Sequence, residues 1–206
     1  MVLEPVDPER HATALFSSIA GESELWKHLA YGPFATQAVF TTWLRDRAVS
    51  DDPLFYAIVD RASGEARGMA SYLRMEPQHG VIEIGHIWFA PALQRTRQAT
   101  EAIYLLVRHA FDELGYRRLE WKCDSLNTPS RRAAERFGFV FEGVFRQHMV
   151  VKGRNRDTAW YSMTDGEWPS RRVAFQAWLT PGNFDEEGRQ RRSLAEYRAG
   201  STDKTG

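Results

Sequence analysis

Cysteine is nearly absent from this chain of 206 residues, where Cys123 stands alone. One thiol excludes an internal disulfide and any zinc site built on several cysteines. The 6 histidines never fall at HxH or HxxxH spacing, so no metal is expected from them either. Long apolar runs are missing too. No stretch approaches the roughly 18 apolar residues that cross a bilayer. The opening MVLEPVDPERHATALF has no basic segment followed by an apolar one, as a secretory signal would. These absences predict a cytoplasmic protein with no membrane partner. Net charge is lacking as well, since 27 Lys and Arg balance 27 Asp and Glu. The balance is uneven along the chain, with 10 basic against 15 acidic residues up to residue 116 and 17 against 12 after it. That asymmetry is too small to argue for nucleic acid, and no basic stripe alternates with aromatics.

What is present reads as an ordinary globular composition, 43% hydrophobic and 26% charged, long enough for a real core. The first 50 residues read as helical, with Pro8 opening a helix over 9–19, a segment around Leu25 and Trp26, and a third over 36–48. Strands follow at 53–60, 66–75 and 81–89, then a helix over 98–114 stopped by Gly115, and a strand at 117–123. A short helix over 127–136, capped by Asn127 or Thr128 with Pro129 in its first turn, is ended by Gly138. Two strands, 139–151 and 157–163, are joined by a loop at 152–156, and a helix is expected near 169–179. The reading is one α/β domain over 1–196, in which 165–196 is a C-terminal helical extension, followed by a disordered tail at 197–206.

The stretch VIEIGHIWFAPALQRTRQAT at 81–100 carries the most information. An apolar strand passes through a short connection into a basic loop that opens an amphipathic helix. Helix N-termini favour anions because their first N–H groups are unpaired and sit at the positive end of the dipole. Arg95 and Arg97 add charge at that place, although a basic loop alone can also be simply solvated.

The order of elements resembles the GNAT superfamily of acetyl-CoA-dependent N-acetyltransferases. Three segments carry the likeness: GHIWFAPALQRTRQATEAI at 85–103, SLNTPSRRAAERFGF at 125–139, and the closing hairpin with Asp157-Thr158 and Trp160-Tyr161. The second is similar to the Asn-x-x-Ser helix of the ribosomal-protein-acetyltransferase (Rim-type) branch. The resemblance implies a mostly antiparallel mixed sheet splayed at the acyl-CoA strand and flanked by helices. It also implies acetyl-CoA as cosubstrate without a metal. The pyrophosphate turn would be Gln94, Arg95, Thr96, Arg97, Gln98 and Ala99, followed by Thr100. Glycine is usual where Arg95 and Arg97 stand, so the loop is expected to keep right-handed or extended geometry.

Within that resemblance, backbone groups of Ile87, Trp88 and Phe89 would pair with the pantetheine arm and polarise the thioester carbonyl. Asn127 would bind pantetheine, Ser130 would protonate the leaving thiolate, and Arg136 would meet the nucleotide phosphate. Glu83 and His86 are the candidate bases. Strict alternation puts them on opposite faces, and a bulge near His86 would bring both to the cleft. Each has a plainer reading, Glu83 as half of a salt bridge to an arginine on a neighbouring strand and His86 as a core imidazole. Trp26, Tyr31 and Phe34 would line the acceptor pocket. Cys123 reads as a buried apolar residue.

The expected function is acetyl transfer to a primary amine, either a protein N-terminus or a small amine, by direct attack on the thioester. Two other classes remain open. One is a non-catalytic acyl-CoA-binding module on the same fold. The other is nucleic-acid binding through 117–206, which would weaken steeply with salt. A homodimer built on the long closing strands or the C-terminal helix is also open.

Overall fold

The computed structural model describes residues 1–202, the last two by backbone alone. A seven-stranded sheet runs in the order β1-β2-β3-β4-β5-β7-β6. Its strands are β1 (Val2–Pro5), β2 (Leu54–Val59), β3 (Ala66–Glu76), β4 (Val81–Phe89), β5 (Arg118–Asp124), β6 (Val140–Val151) and β7 (Arg154–Thr164). β4 and β5 pair in parallel, and every other neighbouring pair is antiparallel. Helices α1 (Pro8–Ser18) and α2 (Gln37–Ala48) cover one face of the sheet's first half. Helices α3 (Arg97–Arg108), α4 (Thr128–Phe137), α5 (Trp168–Trp178) and α6 (Leu194–Thr202) lie on the other face.

Caps set most helix starts. Asp7 accepts from the Glu9 amide at 2.9 Å with Pro8 in the first turn, Thr96 accepts from Ala99 at 3.1 Å, and Asn127 accepts from Ser130 at 3.2 Å. Each satisfies an amide the helix cannot. Gly138 ends α4 at φ 93°, a left-handed stop that costs glycine little. α3 buries Ala102, Ile103, Leu106 and Val107 against the sheet. It then widens into a π turn over His109–Glu113. There the Tyr72 hydroxyl donates to the Leu106 carbonyl at 2.5 Å, an insertion into the helical ladder of the kind that produces such turns.

The element order follows the sequence reading with three corrections. The first 50 residues are not wholly helical, because β1 forms an edge strand on β2. Four residues containing a proline carry too short a pattern to register as a strand. The 152–156 loop shrinks to Lys152-Gly153, both at positive φ, so that Arg154–Arg156 join the ladder against Val151–Met149. Two successive left-handed residues are what a tight hairpin on twisted strands requires. Finally, α6 runs through the first part of the expected 197–206 tail, while 203–206 lie outside the described residues. Leu194 is buried, the Tyr197 hydroxyl meets Asn183 at 3.2 Å, and Arg198 donates to the Arg136 and Glu135 carbonyls. Trp168, Phe175, Trp178 and Leu194 belong to the same core as α3 and β5, so the 165–196 extension packs on the sheet's own helices.

Candidate active site

β4 and β5 are paired from Val81–Arg118 to Ile84–Trp121 and then separate. Beyond that point β4 continues to pair with β3 through Phe89, and β5 continues to pair with β7 through Asp124. On the β5 side, the backbone of residues 85–89 therefore has no ladder partner. The divergence has a local cause. The β3 register slips between Gly85 and Trp88, and His86 sits at φ 51°, a bulge that turns β4 away from its neighbour. The bulge lies where the sequence reading placed it.

The loop leading into α3 adjoins the same end of β4. The Gln94 side-chain amide donates to the Phe89 carbonyl at 3.0 Å. Thr96 caps α3 and donates its own hydroxyl proton to Leu93 at 2.7 Å. Arg95 has φ 61°, which corrects the expectation of right-handed or extended geometry: the arginine takes the left-handed conformation itself, at a cost of about 1 kcal/mol. The backbone N–H groups of Arg95, Arg97 and Gln98 have no backbone acceptor among the described residues. Together they form an amide cradle at a helix N-terminus, which fits a pyrophosphate. Arg97 differs from expectation. Its Nε donates to the Leu179 carbonyl at 2.8 Å and its guanidinium stands 5.7 Å from the Phe184 ring, so its side chain is engaged by the C-terminal segment. Ala99 and Thr100 are buried in the first turn of α3. Arg136 reaches them from α4, donating to the Thr100 hydroxyl at 3.1 Å and lying 4.9 Å from the Trp178 ring. Burial, aided by Arg198, lowers its pKa below the usual arginine range.

Ser130 stands at the point of divergence. Trp121, the last β5 residue paired to β4, donates its indole N–H to Ser130 Oγ at 3.0 Å. That bond leaves the serine's own proton free to donate, and receiving one strengthens it as a donor. The buried Cys123 thiol also meets Ser130, and burial pushes that thiol's pKa up. Asn127 spends its carbonyl oxygen on the cap, leaving its NH2 for another acceptor.

Across the opening, the face turned away from α3 carries a row of alternating charges. Arg74 donates to Glu83 Oε2 at 2.5 Å. Lys122 Nζ lies 2.9 Å from the same oxygen and 2.6 Å from Glu120. Arg118 continues the row to Glu120 at 2.8 Å and to Glu142. Glu83 and Glu120 are register partners on adjacent strands, so Lys122 holds apart two carboxylates that would otherwise repel. The salt bridge suspected for Glu83 exists, and a lysine the sequence reading had not singled out completes it. Both contacts fall on Oε2. Oε1 of the buried Glu83 has no hydrogen-bond partner among the described residues and faces Gly85, where a Cβ would stand 3.6 Å from it.

His86 packs differently. Its ring stacks on Tyr31 at 5.6 Å and meets Phe55 at 5.1 Å. Burial, then the charges of Arg47, Arg74 and Arg156, push its pKa down to about 4, so the imidazole is neutral at pH 7. Tyr31 also meets Trp43 at 4.6 Å, and Trp26 meets Trp88 at 5.7 Å and Phe34 at 5.3 Å. The aromatic wall expected from Trp26, Tyr31 and Phe34 thus faces β4, joined by Trp43 and Phe55. Its segment is tied down from the far side, since His28 meets Asp124 at 3.0 Å and Lys152 donates to the Trp26 and Tyr31 carbonyls at 2.8 and 3.1 Å.

Comparison with known proteins gives this geometry its lineage. The family described as the acetyltransferase (GNAT) domain matches residues 1–140. The crystal structure of a GCN5-related N-acetyltransferase from Brucella melitensis is 52% identical, with a TM-score of 0.93 over 96% of this chain and 90% of that one. The Bacillus subtilis (strain 168) protein named "Putative ribosomal N-acetyltransferase YdaF" is 29% identical over 81% of this chain and 91% of its own length. The ribosomal-protein-serine acetyltransferase of Escherichia coli (strain K12) is 32% identical over 48% of this chain and 54% of its own. A splayed parallel pair, a capped helix offering free amides and an Asn-x-x-Ser helix at the fork agree with those matches. The chain belongs to the GNAT family and is an N-acetyltransferase, with proteins named as ribosomal acetyltransferases among its relatives.

Proposed function

We propose that the chain transfers the acetyl group of acetyl-CoA to a primary amine by direct attack on the thioester. The observation that carries this reading is the fork itself. Ladder-free backbone on β4, the amide cradle of α3 and the Ser130 hydroxyl all open onto one end of the sheet. In this reading the pyrophosphate rests on the amides of Arg95, Arg97 and Gln98. The pantetheine arm runs along residues 87–89 with Asn127 beside it, and a backbone N–H of that stretch polarises the thioester carbonyl. Ser130 donates to the departing thiolate. Of the two candidate bases, Glu83 is favoured, acting through a water on its unpartnered Oε1 while Oε2 stays anchored by Arg74 and Lys122. His86, half-buried and weakly basic, serves as a wall of the acceptor pocket.

The test is Ser130→Ala with thiol release and calorimetry read side by side. Acetyl-CoA binding within about twofold of wild type, with kcat lower by about a hundredfold, is the expected pair of results. A variant that turns over normally would remove Ser130 from the chemistry. A wild-type protein that binds acetyl-CoA but acetylates no amine would favour the non-catalytic module. Dimerisation is part of the same proposal, because β6 is an edge strand with Val140, Phe141, Val144, Phe145 and Val150 exposed. A single monomeric species in sedimentation would refute it.

A further inference from the structure

The acceptor side of the fork holds buried donors with nothing to donate to. Tyr31 Oη, Trp88 Nε1, Trp160 Nε1, Arg47 Nε and Arg156 Nε are shielded from solvent and lack a hydrogen-bond partner among the described residues. Most buried polar atoms in folded proteins are paired, and a cluster of exceptions needs a cause. All but the tyrosine oxygen can only donate. What completes them is therefore rich in acceptors, and two of the five are cationic.

The two arginines come from opposite walls. Arg47 lies on the last turn of α2, 5.5 Å from the Trp43 ring, which leads through Tyr31 to His86. Arg156 lies on β7 and alternates onto the face of Thr158 and Trp160, whose ladder partners are Asp124 and Lys122. Both guanidinium charges act on His86. Neither forms an ion pair with a carboxylate among the described residues, although acidic groups stand nearby. Glu83 is committed to Arg74 and Lys122, Glu120 to Lys122 and Arg118, and Asp124 to His28. Two half-buried guanidiniums thus stand without a carboxylate partner, and both act on His86.

The size of the ligand follows from the tied segment. The residues around Trp26–Phe34 are fastened to β5 through His28–Asp124 and to the β6–β7 turn through Lys152. That bridge narrows the approach toward His86, which favours a small acceptor over a folded protein surface.

We propose that the acceptor is a free amino acid, whose α-carboxylate is held between Arg47 and Arg156 while its amine faces Glu83 and the thioester. This inference rests on the acetyltransferase reading and deepens it. A polyamine would bring further positive charge beside two unpaired guanidiniums, and a protein N-terminus has no α-carboxylate to offer them.

The test titrates N-acetyl amino acids, spanning glycine, leucine, phenylalanine and glutamate, against their carboxamides. Each is titrated into free and CoA-saturated protein, with wild type, Arg47→Gln and Arg156→Gln compared. At least one carboxylate should bind about ten- to a hundredfold tighter than its amide in the wild type, the usual worth of a charged hydrogen bond. Each substitution should erase most of that preference, so either variant suffices if the other fails to fold. Equal binding of acid and amide, no binding of any, or a preference that survives both substitutions would overturn the assignment. Acetyl-CoA affinity is read in the same titrations. Its loss would sink the acetyltransferase reading, while the carboxylate preference is judged independently on the free protein.

Discussion

His86 makes a stability prediction that can be worked through. The folded protein holds its pKa down at about 4, chiefly by burial, whereas the unfolded chain takes up a proton near 6.5. Between those values the unfolded state binds a proton that the folded state refuses. Stability therefore falls as pH falls through this window, and the loss is complete below about pH 4. With those two pKa values, the loss attributable to this one imidazole is small at pH 7, about 2 kcal/mol at pH 5 and about 3 kcal/mol at pH 4. His86→Gln removes the titration while keeping a neutral polar side chain. Wild type and variant are unfolded in urea at pH 7 and pH 5, followed by tryptophan fluorescence, and the difference between them is compared. The carboxylates and the other histidines titrate in both proteins and cancel. Whatever advantage the wild type holds at pH 7 should shrink by about 2 kcal/mol at pH 5. If the two proteins lose stability in parallel, His86 is not held neutral by its surroundings, and the account of the Tyr31–Phe55 wall fails with it.

Lys122→Met leaves Glu83 and Glu120 adjacent in the interior with one cation fewer, and unfolding in urea should show a loss of about 3 kcal/mol or more. The further changes Glu83→Gln and Glu120→Gln should restore part of it. Arg97→Ala should change acetyl-CoA affinity less than about threefold while lowering stability by about 1 kcal/mol, since its hydrogen bond goes to Leu179. A large loss of affinity in calorimetry would return that side chain to the phosphate site. Gly68→Ala would place a methyl 2.7 Å from the Trp88 carbonyl and force β3 from β4 beside the fork. A cost of about 2 kcal/mol is expected in thermal unfolding, and an unchanged Tm would show that the strands can part freely.

Local pattern made most of the frame legible. The Pro8 and Asn127 starts, the Gly138 stop and the 81–89 strand depend on neighbouring residues, whose φ preferences and hydrogen bonds hold wherever the segment goes. β1 was lost because four residues carry too little pattern, and its pairing with β2 is decided fifty residues away. Arg95 was misjudged for a similar reason. Arginine alone avoids left-handed φ, but the Thr96 cap and the Gln94–Phe89 bond hold the turn around it. Along its strand Trp121 reads only as core and Lys122 carries no signal, because their roles depend on what stands across the fork.

The sequence by itself determined the family, the Pro8 and Asn127-region helix starts and the Gly138 stop, and it raised a bulge near His86 and two candidate bases as possibilities. Each of these is a short-range statement about backbone preference and motif spacing. Only the tertiary structure decided that Glu83 has one oxygen anchored and one without a partner, that His86 is neutral, that Arg97 turns to the C-terminal segment and that Arg47 and Arg156 lack a carboxylate partner. Charge and solvation belong to the set of groups brought within a few ångströms, and folding alone assembles that set from α2, β4, β5 and β7.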